Sequence, residues 1–319
     1  PGRDINLSEK RVEGGRNFAT KLWNAARYAE MNGCRFVEDF DPRSCQRKEN
    51  RWIAGATRDC AMAVAAALEA FRFDEAAHLL YHFVWGTFCD WYLEFTKPIL
   101  TGDDAAARRE TQAATAWTLA QLLRLLHPLM PFVTEELWRE LGGAGLLISK
   151  PWPGLPPDLH DPAAAAEMEP LIQDISAIRA VRAELNVPPG TSIRANLFDP
   201  EPAAERRVRS NSTHYERLAR VQFVDASDHD ETSVSVAGTQ ITFQLHLRGV
   251  VDIAKEKARL AKEIGRLDAD LKKFAQKLAN PDFLAKAKPE IIAEQREREA
   301  DVRRERDRLQ TAYARIAAG

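Results

Sequence analysis

Apolar residues recur along the chain with two different periods, and the change of period marks its organisation. Over the first 142 residues the spacing is helical throughout. In "GRNFATKLWNAARYAE", Phe18, Leu22, Ala25 and Ala29 share one face of a helix that runs from a cap at Ser8 to about Asn32, where Asn-Gly stops it. A second helix over roughly 49–71 aligns Trp52, Ile53, Ala56, Cys60, Ala63, Ala67 and Phe71 on its apolar face. A third, capped by Asp74 and covering about 75–96, is dense in aromatics (Tyr81, Phe83, Trp85, Phe88, Trp91, Tyr92, Phe95) and is ended by "KPIL" and "TGDD". A fourth covers about 104–126 and breaks at "HPLMP". A short fifth, "VTEELWREL", has Thr134 as its cap, Glu135 and Glu136 in its first turn, and Phe132, Leu137 and Trp138 packing. Long amphipathic helices on short connections predict an antiparallel bundle.

Residues 143–169 are rich in Gly, Pro and Ala and read as a connector. A helix over about 170–185 follows, ended by "VPPG". The period then drops to two. "TSIRANLFD", "RVQFVD", "TSVSVAG" and "TQITFQLHL" alternate like strands; "PAAERRVRSNSTHYERLA" reads as a helix, and Ala237-Gly238 as a hairpin signal. From residue 252 the period becomes that of a coiled coil. Leu260, Ile264, Leu267, Leu271, Phe274 and Leu278 form one heptad seam; Gln295, Glu299, Val302, Arg306, Leu309, Tyr313 and Ile316 form another. Pro281 and Pro289 lie between them and forbid one continuous helix, so the two arms fold back on each other. The expected fold is mainly α: an antiparallel helical bundle (1–150), a connector with a small α+β module (151–249) and a C-terminal antiparallel coiled-coil hairpin (250–319).

Composition adds limits. Of 319 residues, 45% are hydrophobic and 29% charged, as in a folded globular chain, and no apolar run approaches a membrane span of about 20 residues. Cys34, Cys45, Cys60 and Cys89 form no CxxC pair and suit reduced thiols better than a zinc site or disulfides. The chain opens on Pro1 with a linker-like "PGRDINLS", as expected of a piece of a longer protein. The net charge of −2 hides an asymmetry: residues 250–319 hold 17 Lys and Arg against 13 Asp and Glu, the remainder 28 against 34. A basic terminal segment on an acidic body points to a polyanionic partner.

Candidate chemistry is sparse. His78 and His82 have the i, i+4 spacing of metal ligands but no evident third ligand, so helix-face histidines are the better reading. No phosphate loop, GxSxG elbow or cysteine nucleophile is present, and no catalytic or metal-ligating set is expected in this segment. The first helix carries a more unusual feature. Opposite its apolar face, Arg16, Asn17, Lys21, Asn24 and Arg27 form a cationic and amide stripe with no carboxylate before Glu30. At the hairpin tip, Lys272, Lys273, Lys277, Lys286 and Lys288 stand against Asp282 and Glu290. Such lysines neutralise phosphates or keep an exposed tip in solution, and Phe283 and Leu284 cap the tip or stack on a base.

Four stretches carry a family resemblance: "GRDINLSEKRVEGGRNFATKLWNAARY", "FCDWYLEFTKPIL", "LLHPLMPFVTEELW" and "VDIAKEKARLAKEIGRLDADLKKFAQKLANPDFLAKAKPEII". The chain resembles the C-terminal portion of bacterial-type valyl-tRNA synthetases, class I aminoacyl-tRNA synthetases. Isoleucyl relatives commonly end in a cysteine-rich zinc module, and this chain has no cysteine after Cys89; leucyl relatives lack a long terminal hairpin. The resemblance implies that the bundle binds the anticodon stem-loop of a valine-specific tRNA and that the hairpin lies at the tRNA corner. It implies catalytic and editing domains upstream, with ATP and magnesium used there and no cofactor in this segment. It also implies a monomeric cytoplasmic protein without membrane contact. On this basis Arg16, Asn17, Lys21, Asn24 and Arg27 are expected on the anticodon side, joined by Arg179 and Arg182 if their helix packs beside the bundle, and the five tip lysines on the arm. The competing expectation is a coiled-coil protein-interaction module with no RNA role.

Overall fold

The computed structural model describes residues 9–37, 39–224 and 233–318, and it is mainly helical with one small sheet. The expected cap Ser8 and the leading linker lie outside the described residues. The chain divides into two compact units, Pro1–Glu169 and Pro170–Gly319.

The first unit is a helical bundle. Helix α1 (Glu9–Met31) buries Phe18, Leu22, Ala25, Ala26 and Ala29, the face its periodicity predicts. Helix α2 (Lys48–Glu69) buries Ile53, Thr57, Cys60, Val64 and Ala67. Phe71, expected on that face, instead lies past the helix end and is 80% exposed. Helix α3 (Phe73–His82) passes through a π-helical stretch, Phe83–Tyr92, into α4 (Leu93–Leu100). Asp74 is not its cap, since the helix already begins at Phe73, and it runs on past Pro98 at the sacrifice of one backbone donor. Asp104 does cap α5 (Ala105–Leu126), accepting from the Ala106 and Ala107 N–H groups. The core of this unit contains a satisfied polar knot. Tyr92 Oη donates to Asn50 Oδ1 (2.9 Å), and Asn50 Nδ2 donates to Glu110 (2.8 Å) and to Thr111 (3.1 Å).

Helix α6 (Pro131–Glu140) starts on its proline, three residues earlier than Thr134. Thr134 therefore sits inside the helix, where its hydroxyl donates to the Met130 carbonyl and pairs with His127 Nδ1 (2.8 Å). Phe132 is 90% exposed and does not pack. Glu135 and Glu136 fall beyond the first turn; Glu135 accepts instead from the Leu147 and Ile148 N–H groups and fixes that loop. Helix α7 (Pro162–Glu184) begins inside the expected connector. Asp161 caps it by accepting from Ala164 N–H, with Pro162 behind, while its other oxygen meets Arg51 at 2.7 Å.

In the second unit, β1 (Ile193–Phe198), β2 (Val221–Phe223), β3 (Ser233–Gly238) and β4 (Ile241–His246) form a sheet of order β2-β1-β4-β3. The β1/β2 pair is parallel and the other two are antiparallel. The hairpin turn is Thr239–Gln240, with Gly238 opposite Ile241, so it falls just after Ala237-Gly238. The expected single helix between β1 and β2 is split at Asn211 into α8 (Pro202–Ser210) and α9 (Ser212–Leu218). Buried Asp174 ties the module together: it accepts from Tyr215 Oη (2.8 Å) and from Thr239 N–H (2.7 Å).

The C-terminal hairpin joins α10 (Ile253–Ala279), the short α11 (Pro281–Lys286) and α12 (Pro289–Ala318). At its root Leu260, Leu267, Leu309, Ala312 and Ile316 are buried. Ala312 takes the seam place expected of Tyr313, which is 37% exposed. Among the described residues, polar contacts that cross the hairpin include Arg306 to Asp268 at 3.8 Å and Lys277 Nζ to Gln295 Oε1 at 3.1 Å.

Candidate nucleic-acid interface

Burying Phe18, Leu22 and Ala25 turns the opposite side of α1 outward. Arg16, Asn17, Asn24 and Arg27 are exposed. Arg16 has only a loose contact to Glu13, at 3.9 Å. Among the described residues Asn17, Asn24 and Arg27 make no side-chain hydrogen bond or ion pair. Lys21 differs. Its ammonium lies 2.8 Å from Asp90 and 5.1 Å from the centre of the Trp85 ring. Trp85 and Asp90 are five residues apart, and the i→i+5 winding of the π-helical stretch brings both to the side that meets Lys21.

Trp85 begins a row of rings beside the stripe. It stacks on Tyr81 (5.7 Å, 29°), which touches Phe18 at 5.1 Å and His82 at 5.4 Å; His82 in turn touches His78 at 4.2 Å. Tyr81 is 39% exposed, so this row is edge and surface rather than core.

A second group gathers around α6. Arg27, Trp23 and Ala26 of α1 face Leu137, Glu140 and Leu141 across a cavity of about 210 Å³. The neighbouring Trp138 is fixed by Nε1 donating to the Gly145 carbonyl (3.2 Å) and by the Phe36 ring at 4.8 Å. Gly143 lies so close that an added Cβ would fall 2.2 Å from the indole, so only glycine fits there. The Arg124 guanidinium and the Lys150 ammonium lie 5.6 and 5.9 Å from the Trp138 ring. Both line a further cavity of about 400 Å³ with His127, Leu147, Ile148 and Trp152. Among the described residues neither cation has a carboxylate partner, and burial pulls the Arg124 pKa below its ordinary value. Unpaired cations and amides beside ring faces suit unstacked bases and the phosphates that link them.

The arginines of α7 are spent elsewhere. Arg182, 7% exposed, donates to the carbonyls of Thr191 (2.7 Å), Arg220 (3.2 Å) and Pro188 (3.3 Å); Arg179 Nε donates to the Leu218 carbonyl at 2.6 Å. Both hold the α+β module together, within the second unit. On the arm, Lys272 and Lys288 are exposed. Lys273 pairs with Asp270 (2.9 Å), and Lys277, bonded to Gln295, also lies 5.0 Å from the Phe283 ring. The Lys286 side chain lies outside the described residues.

Sequence reading missed Trp23, Tyr81, Trp85, Arg124, Lys150 and Trp152. The i, i+4 spacing of Tyr81 and Trp85 was a usable sign of a shared face. Arg124 and Lys150 gave none, because they meet only through Trp138.

Two family models match separate parts of the chain. Residues 50–197 match the family described as the anticodon-binding domain of tRNA ligases, and residues 252–317 match the valyl-tRNA synthetase tRNA-binding arm. Helix α1 precedes the first match but falls inside longer similarities. Over 322 residues, 99% of this chain, the sequence is 46% identical to a valine–tRNA ligase of Caulobacter vibrioides and 42% identical to that of Agrobacterium fabrum. The chain spans only 36% and 34% of the length of those two relatives.

Proposed function

We propose, from the premise that the chain belongs to the valyl-tRNA synthetase family as its C-terminal part, that it is the tRNA-binding region of a valine–tRNA ligase. The helical bundle receives the anticodon stem-loop of a valine-specific tRNA, and the coiled-coil arm contacts the tRNA corner. The working division is 1–150 for the anticodon side, 151–249 for the connector and α+β module, and 250–319 for the arm. Aminoacylation, with its use of ATP and magnesium, belongs to the preceding part of the full-length protein, which acts as a cytoplasmic monomer.

The observation that carries this reading is the outward row Asn17, Asn24 and Arg27, unpaired among the described residues and flanked by Trp23 and by the Arg124–Trp138–Lys150 group. Guanidinium and amide groups read the edges of splayed bases, and ring faces stack on them. Arg16 belongs to the same surface; Lys21 contributes through its ring contact, and Lys272, Lys288 and Lys286 supply phosphate contacts at the arm. Arg179 and Arg182 support the module and not the ligand.

The test is binding of the full-length protein to valine-accepting tRNA and to the same tRNA with a changed anticodon, titrated across salt. The expected result is salt-sensitive binding that weakens on changing the anticodon. Equal affinity for unrelated duplex RNA, with concentration-dependent self-association, would instead favour a protein-interaction module.

A further inference from the structure

Helix α2 ends in a left-handed residue, and that residue is Phe71, with φ +57°. The closure is regular: Phe71 N–H donates to the Leu68 carbonyl (3.0 Å) and Arg72 N–H to that of Ala67 (2.8 Å). Glycine is the usual occupant of such a position, because a Cβ is disfavoured there and a bulky side chain is a marked exception. Among the described residues the ring is not buried in the bundle to offset that. Phe71 is 80% exposed and Phe73 57% exposed, and the two pair edge to face at 6.4 Å and 81°. A strained backbone here holds two aromatic rings in water.

Their position names what covers them. Helix α1 runs parallel to α3 and α4: Phe18 meets Tyr81, Lys21 meets Trp85 and Asp90, and Tyr28 meets Thr96. Back from those contacts, Phe18 to Glu9 and Tyr81 to Phe73 are each roughly 12–14 Å at 1.5 Å per residue. The phenylalanine pair is therefore level with the start of α1, where Val12 is also 60% exposed. The chain matches only 36% of the Caulobacter relative's length, and its resemblance to the C-terminal portion of that family puts further chain ahead of α1.

We propose that Phe71 and Phe73 dock against the part of the same polypeptide that precedes the matched region, and so set the bundle against that body. A tethered surface so near the junction meets a high effective concentration of its partner. Charge argues against nucleic acid as the occupant. Glu69, Asp74 and Glu75 surround the pair, and the one cation between the rings, Arg72, is already bound to Glu75 at 2.8 Å. The surface is independent of the anticodon-side residues.

The test uses the full-length protein with Phe71→p-benzoylphenylalanine, irradiated in dilute solution, with and without valine-accepting tRNA, and mapped by mass spectrometry. Intramolecular cross-links to peptides from the preceding part, unchanged by tRNA, are expected. Cross-links to tRNA, to a second copy, or to nothing would overturn the proposal. A second variant, Phe71→Gly with Phe73→Ser, suits the left-handed backbone and so keeps the bundle folded. It should raise the rate of limited proteolysis ahead of α1 several-fold while tRNA affinity stays within twofold. An unchanged cleavage rate would also overturn the proposal.

Discussion

The Lys21 ammonium is held 2.8 Å from the Asp90 carboxylate, so the central cation of the α1 stripe is already neutralised in the absence of ligand. Asp90→Asn should release it. The expected result is two- to fivefold tighter RNA binding at low salt with a steeper salt dependence, read by fluorescence anisotropy. Both side chains are about a third or more exposed, so the lost pair changes stability by about 1 kcal/mol or less.

Arg27 and Arg182 should behave oppositely. Arg182→Ala removes donors from three main-chain carbonyls and should destabilise the second unit by about 2–4 kcal/mol in denaturant titrations. Arg182→Lys cannot span all three acceptors and should rescue little. Arg27→Ala, on a free side chain, should leave stability within about 0.5 kcal/mol and weaken binding of the valine anticodon about tenfold. If Arg182→Ala alone altered anticodon preference at unchanged stability, the assignment of roles would be reversed.

On the arm, Lys272→Ala and Lys288→Ala should each lower the slope of log affinity against log salt by about 0.7–1, equally for all anticodons. Lys277→Ala should act differently, because Lys277 bonds Gln295 and covers Phe283. It should increase amide exchange at the tip before it changes the salt slope.

The four cysteines are buried, and burial pushes each thiol up to about 12 from an ordinary 9.0. At pH 8 the folded chain should therefore take up no iodoacetamide, and denaturant should expose all four. The folded state keeps these protons where the unfolded chain releases them, so their contribution is complete below pH 9.0 and falls as pH rises towards 12. Thermal melting across pH 8–11, compared with a Cys60→Ala variant, checks the sign.

The face of α1, the strands and the two arms of the hairpin were legible because each rests on a period that burial repeats: Phe18, Leu22, Ala25 and Ala29 are all buried. Failures cluster where a local signal competed with tertiary structure. Pro98 read as a helix end and Pro170 as a helix start, yet both lie inside helices, since the packing on either side outweighs one lost backbone bond. Asp161-Pro162 was a helix start hidden in a stretch whose composition reads as linker. The root end of the second seam drifted from Tyr313 to Ala312, where the arm is closed by the Arg315–Glu184 ion pair and by Arg259 donating to the Glu184 carbonyl (3.3 Å). At the candidate site, the α1 stripe was readable as an excess of one charge on one helix face. Which of its members are free was not, because the partner of Lys21 lies on another helix and is presented by a π-helical turn.

The fastening of the hairpin is graded along its length. Buried leucines and the Glu184–Arg315 pair grip its root, whereas Leu271, Phe274 and Val302 further out are only half-buried. A rod of roughly 40 Å held this way acts as a lever: about ten degrees of rotation at the root carries the tip roughly 7 Å, about one turn of a helix and a little more. The seam is thus closed at one end while the reach lies at the other, so the place of the tip is set by the root.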